Sequence, residues 1–435
     1  MSSYPEMFRV RQRFQNPTLD DVRGETLAQL ARLNLGHRIQ PGQSVAITAG
    51  SRGIARIHEI IKAIVDHLQE LGARPFIVPA MGSHGGGTAE GQRQIVEGYG
   101  MTEEYLGCPI RATMDTVIVC QTAEGIPVHF DRFAYEADHV IVCGRVKPHT
   151  GFVGEIESGL MKMMLIGLGK HAGAKIYHRA IMDYSFPQIV RSVAHHVLEQ
   201  CRITAGVGIV ENAYDRTARI EAVAPERLEE REKELLKLAR QWMPRLPFDR
   251  ADLLLIDQIG KNISGSGLDT NVVGRKFNDH CAGDDEWPKV RRIMIRDLTD
   301  ETKGNAAGLG IAEFCARRVV DKADMTITKI NCITGGHPGG AMTPVHYDSE
   351  REAIDAAIST CGLIPPHEAR VLWIRNTLEL AEVECSAGYL EEARQRDDLE
   401  ILTEPRPLQF DGAGDLIDYD PPLCSTPFET AASSG

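Results

Sequence analysis

The segment that most constrains the fold runs from residue 44 to residue 79. Ser44–Thr48 is a short apolar run that leads into the glycine-rich stretch Ala49-Gly50-Ser51-Arg52-Gly53. Apolar residues then recur at helical spacing from Ile54 to Leu71, and Pro75–Pro79 follows as a second apolar run. A strand, a tight turn, a helix and another strand make a βαβ unit, which predicts a parallel sheet.

The alternation of strands and helices continues along the rest of the chain. Before residue 243 it predicts strands at Thr116–Cys120, His139–Cys143 and Ala205–Val210 and helices at Phe186–Cys201 and Pro225–Trp242. After residue 250 it predicts strands at Leu253–Ile256, Arg291–Ile295, Met325–Ile330 and Val371–Ile374 and helices at Ala306–Arg318 and Arg351–Thr360. Two prolines interrupt the pattern within residues 243–250. We therefore expect two α/β domains, residues 1–248 and 251–420, with an active-site cleft between them and a flexible tail over residues 421–435.

The composition excludes several classes of protein. Lysine and arginine total 48 against 61 aspartates and glutamates, a net charge of -13, which disfavours a general nucleic-acid binder. No apolar run approaches the ~18 residues that a membrane span needs, and the N-terminus lacks a signal-peptide pattern. The ten cysteines include no Cys-x-x-Cys pair, as is typical of reduced thiols. We expect a cytoplasmic protein.

Two glycine-rich loops follow predicted strands of the first domain. In Gly50-Ser51-Arg52-Gly53, backbone N–H groups at a helix start and the Arg52 guanidinium suit a phosphate or a carboxylate. An ordinary βα turn is the alternative interpretation of this stretch. The second loop, residues 81–88, surrounds His84 with glycines, which leaves its imidazole accessible to a ligand, and Thr88 is predicted to cap the next helix.

Basic and histidine side chains are densest between Gly144 and His178. This stretch holds His149, Lys162 and His178, and Lys162 lies within the apolar run Met161–Ile166. Apolar surroundings lower the pKa of an amine, so Lys162 is a candidate nucleophile or covalent cofactor anchor. The alternative is a lysine that extends from the edge of a strand to solvent.

Polar residues also follow the first strand of the second domain. Residues 257–267 combine Gln258 and Lys261 with three glycines, and we expect them to form the second face of the cleft. No HExxH motif, zinc pattern or GxSxG motif is present, so hydrolysis by these standard sites is not supported.

Together these segments resemble the lactate racemase family, whose members use a nickel-pincer nucleotide cofactor. The resemblance rests on ordered spacing: Arg52 lies 32 positions before His84, and His84 lies 65 before His149. Lys162 lies 16 positions before His178, and Gln258 lies three before Lys261. Each separation is close to that between the corresponding functional residues of the family. After His149 this chain is about three residues longer than classical members and acidic at Glu155 and Glu157, so it is expected to be a divergent member.

The resemblance implies a role for each of these residues. His84 and His149 would be the paired acid and base, and Lys162 would tether the cofactor, Ni(II)-pyridinium-3,5-bisthiocarboxylic acid mononucleotide. His178 would be the protein ligand to nickel, a square-planar arrangement that needs only one imidazole. Arg52, Gln258 and Lys261 would bind the substrate, and Gly50, Ser51 and Gly53 are candidates for the cofactor phosphate.

The reaction that the resemblance implies is inversion of the α-carbon of a 2-hydroxy acid or a sugar acid by reversible hydride transfer to the nickel-pincer nucleotide. Two histidines on opposite sides of the substrate suit that symmetry, because the hydroxyl proton must be removed on one side and returned on the other. The partners implied are a small hydroxy acid and the proteins that make the cofactor. Two alternatives remain: a divalent-metal lyase or dehydratase, and a non-enzymatic binding protein for an anionic metabolite or the nickel nucleotide.

Overall fold

A computed structural model of the chain describes residues 4–51, 53–151, 153–180, 183–276 and 284–423, without the side chain of His178. The chain divides into two compact units. The N-terminal unit is Asn16–Met243, and the C-terminal unit combines Met1–Gln15 with Pro244–Gly435. Each unit joins helices to a sheet, which confirms the predicted α/β class.

Fifteen strands and fourteen α-helices lie in the described part of the chain. The strands are β1 (Met7–Gln12), β2 (Ser44–Ala49), β3 (Arg74–Pro79), β4 (Thr116–Gln121), β5 (Pro127–Asp131), β6 (His139–Arg145), β7 (Ile203–Glu211), β8 (Thr217–Val223), β9 (Arg250–Ile259), β10 (Lys289–Leu298), β11 (Phe314–Ala316), β12 (Val345–Tyr347), β13 (Val371–Ile374), β14 (Glu382–Ser386) and β15 (Leu399–Ile401). The helices are α1 (Val22–Leu33), α2 (Ile57–Glu70), α3 (Ala89–Gly98), α4 (Glu103–Leu106), α5 (Arg132–Glu136), α6 (Leu160–Lys162), α7 (Lys170–Ala180), α8 (Phe186–Gln200), α9 (Leu228–Trp242), α10 (Thr270–Val273), α11 (Arg317–Lys322), α12 (Met325–Thr334), α13 (Glu350–Ser359) and α14 (Leu390–Arg394). Residues Met163–Gly167 continue α6 as one π-helical turn.

The N-terminal unit is built on a five-stranded sheet in the order β3-β2-β6-β7-β8. The first four strands are parallel and β8 is antiparallel to β7. Alternate residues of β2 lie on opposite faces of the sheet, and both faces are buried. Ala46 belongs to one apolar cluster, and Val45 and Ile47 belong to another. A parallel sheet covered on both sides explains the continuous apolar runs in the sequence. The predicted βαβ unit is therefore confirmed as β2, α2 and β3.

The C-terminal unit is built on an eight-stranded sheet in the order β12-β11-β10-β9-β13-β14-β1-β15. Strand β1 lies between β14 and β15 and is antiparallel to both. Its residues Met7, Phe8 and Val10 are fully buried. The sequence prediction grouped residues 1–248 in one domain, whereas the structure groups the first fifteen residues with the C-terminal unit because β1 is an interior strand of that sheet.

Two predicted elements of the C-terminal unit are wrong. The predicted helix Ala306–Arg318 is replaced by a short 3₁₀ turn and strand β11, because Gly308 has φ 95° and a Cβ at Gly310 would overlap with the backbone of Gly339. The predicted strand Met325–Ile330 is the start of α12. Asp324 caps that helix by accepting hydrogen bonds from two backbone amides, which outweighs the β-branched sequence.

The end of the chain packs against the C-terminal unit as far as it is described. Leu408, Leu416 and Tyr419 are buried in an apolar cluster of that unit. The predicted flexible tail over residues 421–435 falls outside the described residues from position 424 onward. No described helix combines the length and the apolar character that crossing a membrane requires.

Candidate active site

Three loops of the N-terminal unit leave the carboxyl ends of adjacent parallel strands. The loop after β2 begins at Gly50, the loop after β3 contains His84, and the loop after β6 contains His149. The chain passes from β2 to β3 on one side and later returns to β6 on the other side of β2. Ligands of open α/β sheets bind at such a reversal of strand order, outside the carboxyl ends of the strands. The topology therefore brings three predicted site segments to one edge of the sheet.

The turn after β2 is fixed by Tyr99 and by the π-helical segment. The Tyr99 hydroxyl donates a hydrogen bond of 2.9 Å to the Ser51 carbonyl. Gly50 leaves room for Met163, because a Cβ at Gly50 would lie 3.3 Å from the Met163 methyl carbon. Gly53 is exposed, and Arg52 lies outside the described residues. The predicted anion-binding turn thus directly adjoins the segment that follows Lys162.

The loop after β3 presents an exposed His84. Gly85, Gly86 and Gly87 have φ between 65° and 66°, a left-handed conformation that favours glycine. Thr88 caps α3 as predicted by accepting a hydrogen bond from the Gly91 amide. His84 Nδ1 is hydrogen-bonded to the Ser51 hydroxyl, so the structure brings together the two loops that the sequence placed 33 residues apart.

The loop after β6 holds His149 through a buried carboxylate. Glu157 is fully buried and accepts hydrogen bonds from the amides of His149, at 2.6 Å, and Gly154, at 3.2 Å. Arg240 of α9 pairs with the same carboxylate at 2.6 Å. His149 Nδ1 accepts a hydrogen bond of 2.9 Å from the Gly151 amide. An acceptor at Nδ1 places the proton of the neutral ring on Nε2.

Lys162 ends α6, and a second buried carboxylate holds the start of that helix. Glu232 of α9 is fully buried and accepts a hydrogen bond of 2.8 Å from the Met161 amide. Burial raises the pKa of Glu232 to about 7, and its bonds to the backbone oppose that shift. Gly159 is required beside it, because a Cβ at that position would overlap with the Glu232 carboxylate. Lys162 itself is half-buried and lies on a helix, so the alternative of a strand-edge lysine is excluded.

Helix α7 carries the predicted nickel ligand, His178, whose side chain lies outside what the structure describes. His171, on the same helix, faces the glycine turn: a Cβ at Gly87 would lie 3.9 Å from its ring. Burial and the charge of Lys175 lower the pKa of His171. The sequence analysis assigned no role to His171.

Gln258 and Lys261 belong to the C-terminal unit. Gln258 lies near the carboxyl end of β9, and Lys261 follows that strand. The Lys261 ammonium donates hydrogen bonds of 2.5 Å to the Gly265 carbonyl and to the Asn331 side chain. Their predicted role in substrate binding stays a prediction.

The sequence analysis missed a charged cavity in the C-terminal unit. Gln258 lines this cavity of about 390 Å³ together with Asp257, Arg296, Arg375 and Glu384. Asp257 accepts hydrogen bonds from Arg296, at 2.6 Å, and from the Trp373 indole, at 2.5 Å. Burial raises the pKa of Asp257 to about 6, although the Arg296 charge opposes the shift. Charged residues of adjacent strands meet here, and only the strand pairing reveals that they do.

Metal-binding clusters of the conventional kind are not seen in the described ranges, where no group of three or more His, Cys, Asp or Glu side chains is placed to hold an ion. A pincer-bound nickel needs a single imidazole from the protein, so this finding does not bear on His178.

Comparison with known proteins assigns part of the chain to a family. Residues 26–186 match the family described as the lactate racemase N-terminal domain. This segment is similar to the lactate racemase N-terminal domain. It contains the three loops described above together with Lys162 and His178, and it confirms the resemblance inferred from the spacing of those residues.

Solved structures extend the likeness at the level of the fold. The lactate racemase apoprotein from Thermoanaerobacterium thermosaccharolyticum is 11% identical, with a TM-score of 0.51 over 84% of this chain and 94% of that one. A protein from Thermotoga maritima is 14% identical, with a TM-score of 0.43 over 65% of this chain and 72% of that one. No curated protein sequence matches the chain. The likeness to the racemase apoprotein is one of fold, and the family match is confined to residues 26–186.

Proposed function

We propose that this protein is a racemase or epimerase that inverts the α-carbon of a 2-hydroxy acid or a sugar acid. The observation that carries the proposal is the hydrogen bond between His84 and Ser51, which joins a histidine loop to the glycine turn at the carboxyl edge of the sheet. Met163 links the same turn to the helix of Lys162. These two contacts support the proposal, because they join the His84 loop and the segment after Lys162 to the same glycine turn.

The two histidines would have complementary roles in proton transfer. When Nδ1 of His84 donates to the Ser51 hydroxyl, Nε2 has a free lone pair. We assign His84 as the base that removes the substrate hydroxyl proton at Nε2. His149 is proposed as the partner of His84 on the opposite side of the substrate, and with Nδ1 accepting from the Gly151 amide its neutral ring presents an Nε2 proton for a hydrogen bond to the substrate oxygen. Arg52 is proposed to hold the substrate carboxylate as a planar, bidentate donor, with Gln258 and Lys261 as further substrate-binding residues.

The residues present fit a nickel-pincer nucleotide. Lys162 would anchor it, His178 would bind its nickel, and the backbone donors of Gly50, Ser51 and Gly53 would hold its phosphate. Lys162 follows Met161, which is apolar and fully buried. Met163, next in the chain, lies against Gly50 in the turn that would hold the phosphate. When bound, the nucleotide would supply an acceptor for the substrate hydride. The chain would hold the substrate between its two histidines and exclude water.

The first experiment is to purify the protein with and without co-expressed cofactor-biosynthesis proteins and to screen a panel of chiral 2-hydroxy acids and sugar acids. We expect one nickel per chain, a visible absorption band and racemisation of at least one acid only after co-expression. Racemisation by protein that lacks nickel would contradict the cofactor assignment, and dehydration of the same acids would favour the lyase alternative.

Three variants then separate the proposed roles. We expect His84→Ala and His149→Ala to abolish racemisation while bound nickel is retained, and His178→Ala to lose nickel. The mass of the intact loaded protein tests Lys162, because a covalent anchor adds the mass of the cofactor. His196→Ala is the matched control, since His196 lies on α8 beside Glu199 and the proposed chemistry does not use it. Full turnover by both His84→Ala and His149→Ala would overturn the acid–base assignment.

A further inference from the structure

Lys170, the first residue of α7, is fully buried near the His84 loop, and the proposed chemistry does not use it. The Lys170 side chain has no exposed surface, and neither does its partner Asp131, whose carboxylate lies 3.0 Å from the ammonium. The ammonium also donates to the Pro79 carbonyl and, at 3.1 Å, to Oε1 of Gln92. Burial lowers the pKa of Lys170 and raises that of Asp131, while the charge of each partner opposes the shift.

Gln92 transmits this contact to the loop that carries His84. Its side chain is fully buried on α3, and its amide nitrogen donates hydrogen bonds to the carbonyls of Gly82, at 2.9 Å, and His84, at 3.3 Å. The same amide therefore binds Lys170 through its oxygen and the His84 loop through its nitrogen. Leucine in its place would leave two loop carbonyls and one ammonium proton without these partners.

Lys170 also connects these contacts to the helix of Lys162. It is the first residue of α7, which begins after a two-residue turn that follows the π-helical continuation of α6. Lys170 has φ 54°, a left-handed conformation that costs a residue other than glycine roughly 1 kcal/mol or more. Asp131, the partner of Lys170, is itself fixed to α5, because its other carboxylate oxygen caps that helix by accepting a hydrogen bond of 2.9 Å from the Ala134 amide.

Buried ion pairs contribute little to stability on balance, because removing two charges from water offsets their attraction. A buried pair with strained backbone at Lys170 is thus poorly explained by stability alone. We propose that Asp131, Lys170 and Gln92 form a positioning array that sets the place of His84 relative to the helix of Lys162. This inference rests on the proposed function only for its effect on catalysis, since the placement of His84 is measurable in the protein without cofactor.

Gln92→Glu is the decisive variant. Glutamate keeps an oxygen for the Lys170 ammonium, so the buried cation stays paired, but it replaces the donor to Gly82 and His84 with a second oxygen that repels their carbonyls. A residue needed only to satisfy Lys170 would tolerate this change. Gln94→Leu, on the exposed face of the same helix, is the matched control.

The readout is the NMR titration of the His84 ring in protein without cofactor, with the His149 ring as internal reference. We expect Gln92→Glu to change the His84 ring nitrogen shifts across the titration, because the loop loses the donor that holds its carbonyls, while His149 and the Gln94→Leu protein keep wild-type values. In the loaded enzyme, kcat should fall by roughly 100-fold, the cost of a displacement of about 1 Å at a catalytic group, with nickel content and KM unchanged.

An unchanged His84 titration in folded Gln92→Glu protein would overturn the inference. A Gln92→Glu protein that fails to fold is replaced in the test by Gln92→Leu, with the same two possible outcomes for His84. If no hydroxy acid is racemised by the wild-type protein, the proposed function fails, and the NMR titration still decides whether the array positions His84.

Discussion

At the scale of single residues, the candidate site is held by carboxylates to which the sequence analysis gave no structural role. Glu157 binds the backbone of His149, and Glu232 binds the start of the helix of Lys162. Their spacing from those residues follows no motif, because α9 supplies Glu232 from 70 positions beyond Lys162. Spacing could predict the groups assigned to chemistry, whereas the groups that orient them depend on tertiary contacts.

Glu232 should make the stability of the protein depend on pH. Burial raises its folded-state pKa to about 7, from 4.5 for an unperturbed glutamate. The folded protein then binds more protons than the unfolded chain between these values, so stability falls as pH rises from about 4.5 to about 7. Below that window the carboxyl is neutral in both states and carries no penalty.

We expect Glu232→Gln to remove this penalty, because the amide stays neutral and its oxygen can accept from the Met161 amide. The variant should match the wild type near pH 4 and exceed its free energy of unfolding by roughly 3 kcal/mol at pH 8, at about 1.4 kcal/mol for each unit of pKa shift. Urea unfolding at the two pH values measures the difference. Glu234→Gln, with its half-exposed carboxylate paired to Lys237, is the control and should show no such dependence.

At the scale of elements, periodicity predicted the strands and helices whose burial pattern is regular. The predicted strand at Val371–Ile374 coincides with β13, all four residues of which are buried. The isoleucines of α12 were misread because Ile327, Ile330 and Ile333 form an exposed apolar stripe at helical spacing within a β-branched sequence. Strand β1 was missed because alternating arginines in Met7–Gln12 hide an interior strand whose Arg9 is buried by an ion pair with Glu384.

Helix α3 offers a test of how closely an element must approach the His84 loop. A Cβ at Gly91 would overlap with the Gly85 carbonyl, so Gly91→Ala should push the glycine turn away from the helix. A Cβ at Gly98, in the last turn of the same helix, would meet nothing within 4 Å. Gly98→Ala should therefore stabilise the protein by up to about 1 kcal/mol, because alanine restricts the unfolded chain.

The two alanine variants should diverge in both stability and the environment of His84. We expect Gly91→Ala to lower the free energy of unfolding by about 1–3 kcal/mol, the usual cost of forced overpacking, and to shift the His84 ring resonances. Gly98→Ala should leave those resonances unchanged. Equal stability of the two variants would show that α3 can move freely against the loop, which the contact at Gly91 contradicts.

At the scale of the whole molecule, the chain begins and ends in the same unit. Residues before Asn16 and after Met243 share one sheet, and the segment that matches the lactate racemase N-terminal domain lies between them in the sequence. Local sequence pattern assigns the first strand to the first domain, because it cannot reveal contacts with a residue 375 positions away, such as that between Arg9 and Glu384. Deleting the first strand should therefore damage the C-terminal unit, although the deletion is nearest in sequence to the N-terminal one.

We expect removal of residues 1–13 to raise amide hydrogen exchange in β14 and β15, because both lose the strand that lies between them. Exchange there should accelerate by at least about tenfold, the equivalent of about 1.4 kcal/mol of local stability. The amides of β2 and β3, which pair within the N-terminal unit, should keep their protection. Removal of residues 1–3 alone, which leaves β1 intact, should change neither region.

If the longer deletion exposed β2 and β3 as much as β14 and β15, the two units would be one cooperative structure. Protection confined to β2 and β3 would instead show that the racemase-like domain keeps its sheet without the strand that precedes it.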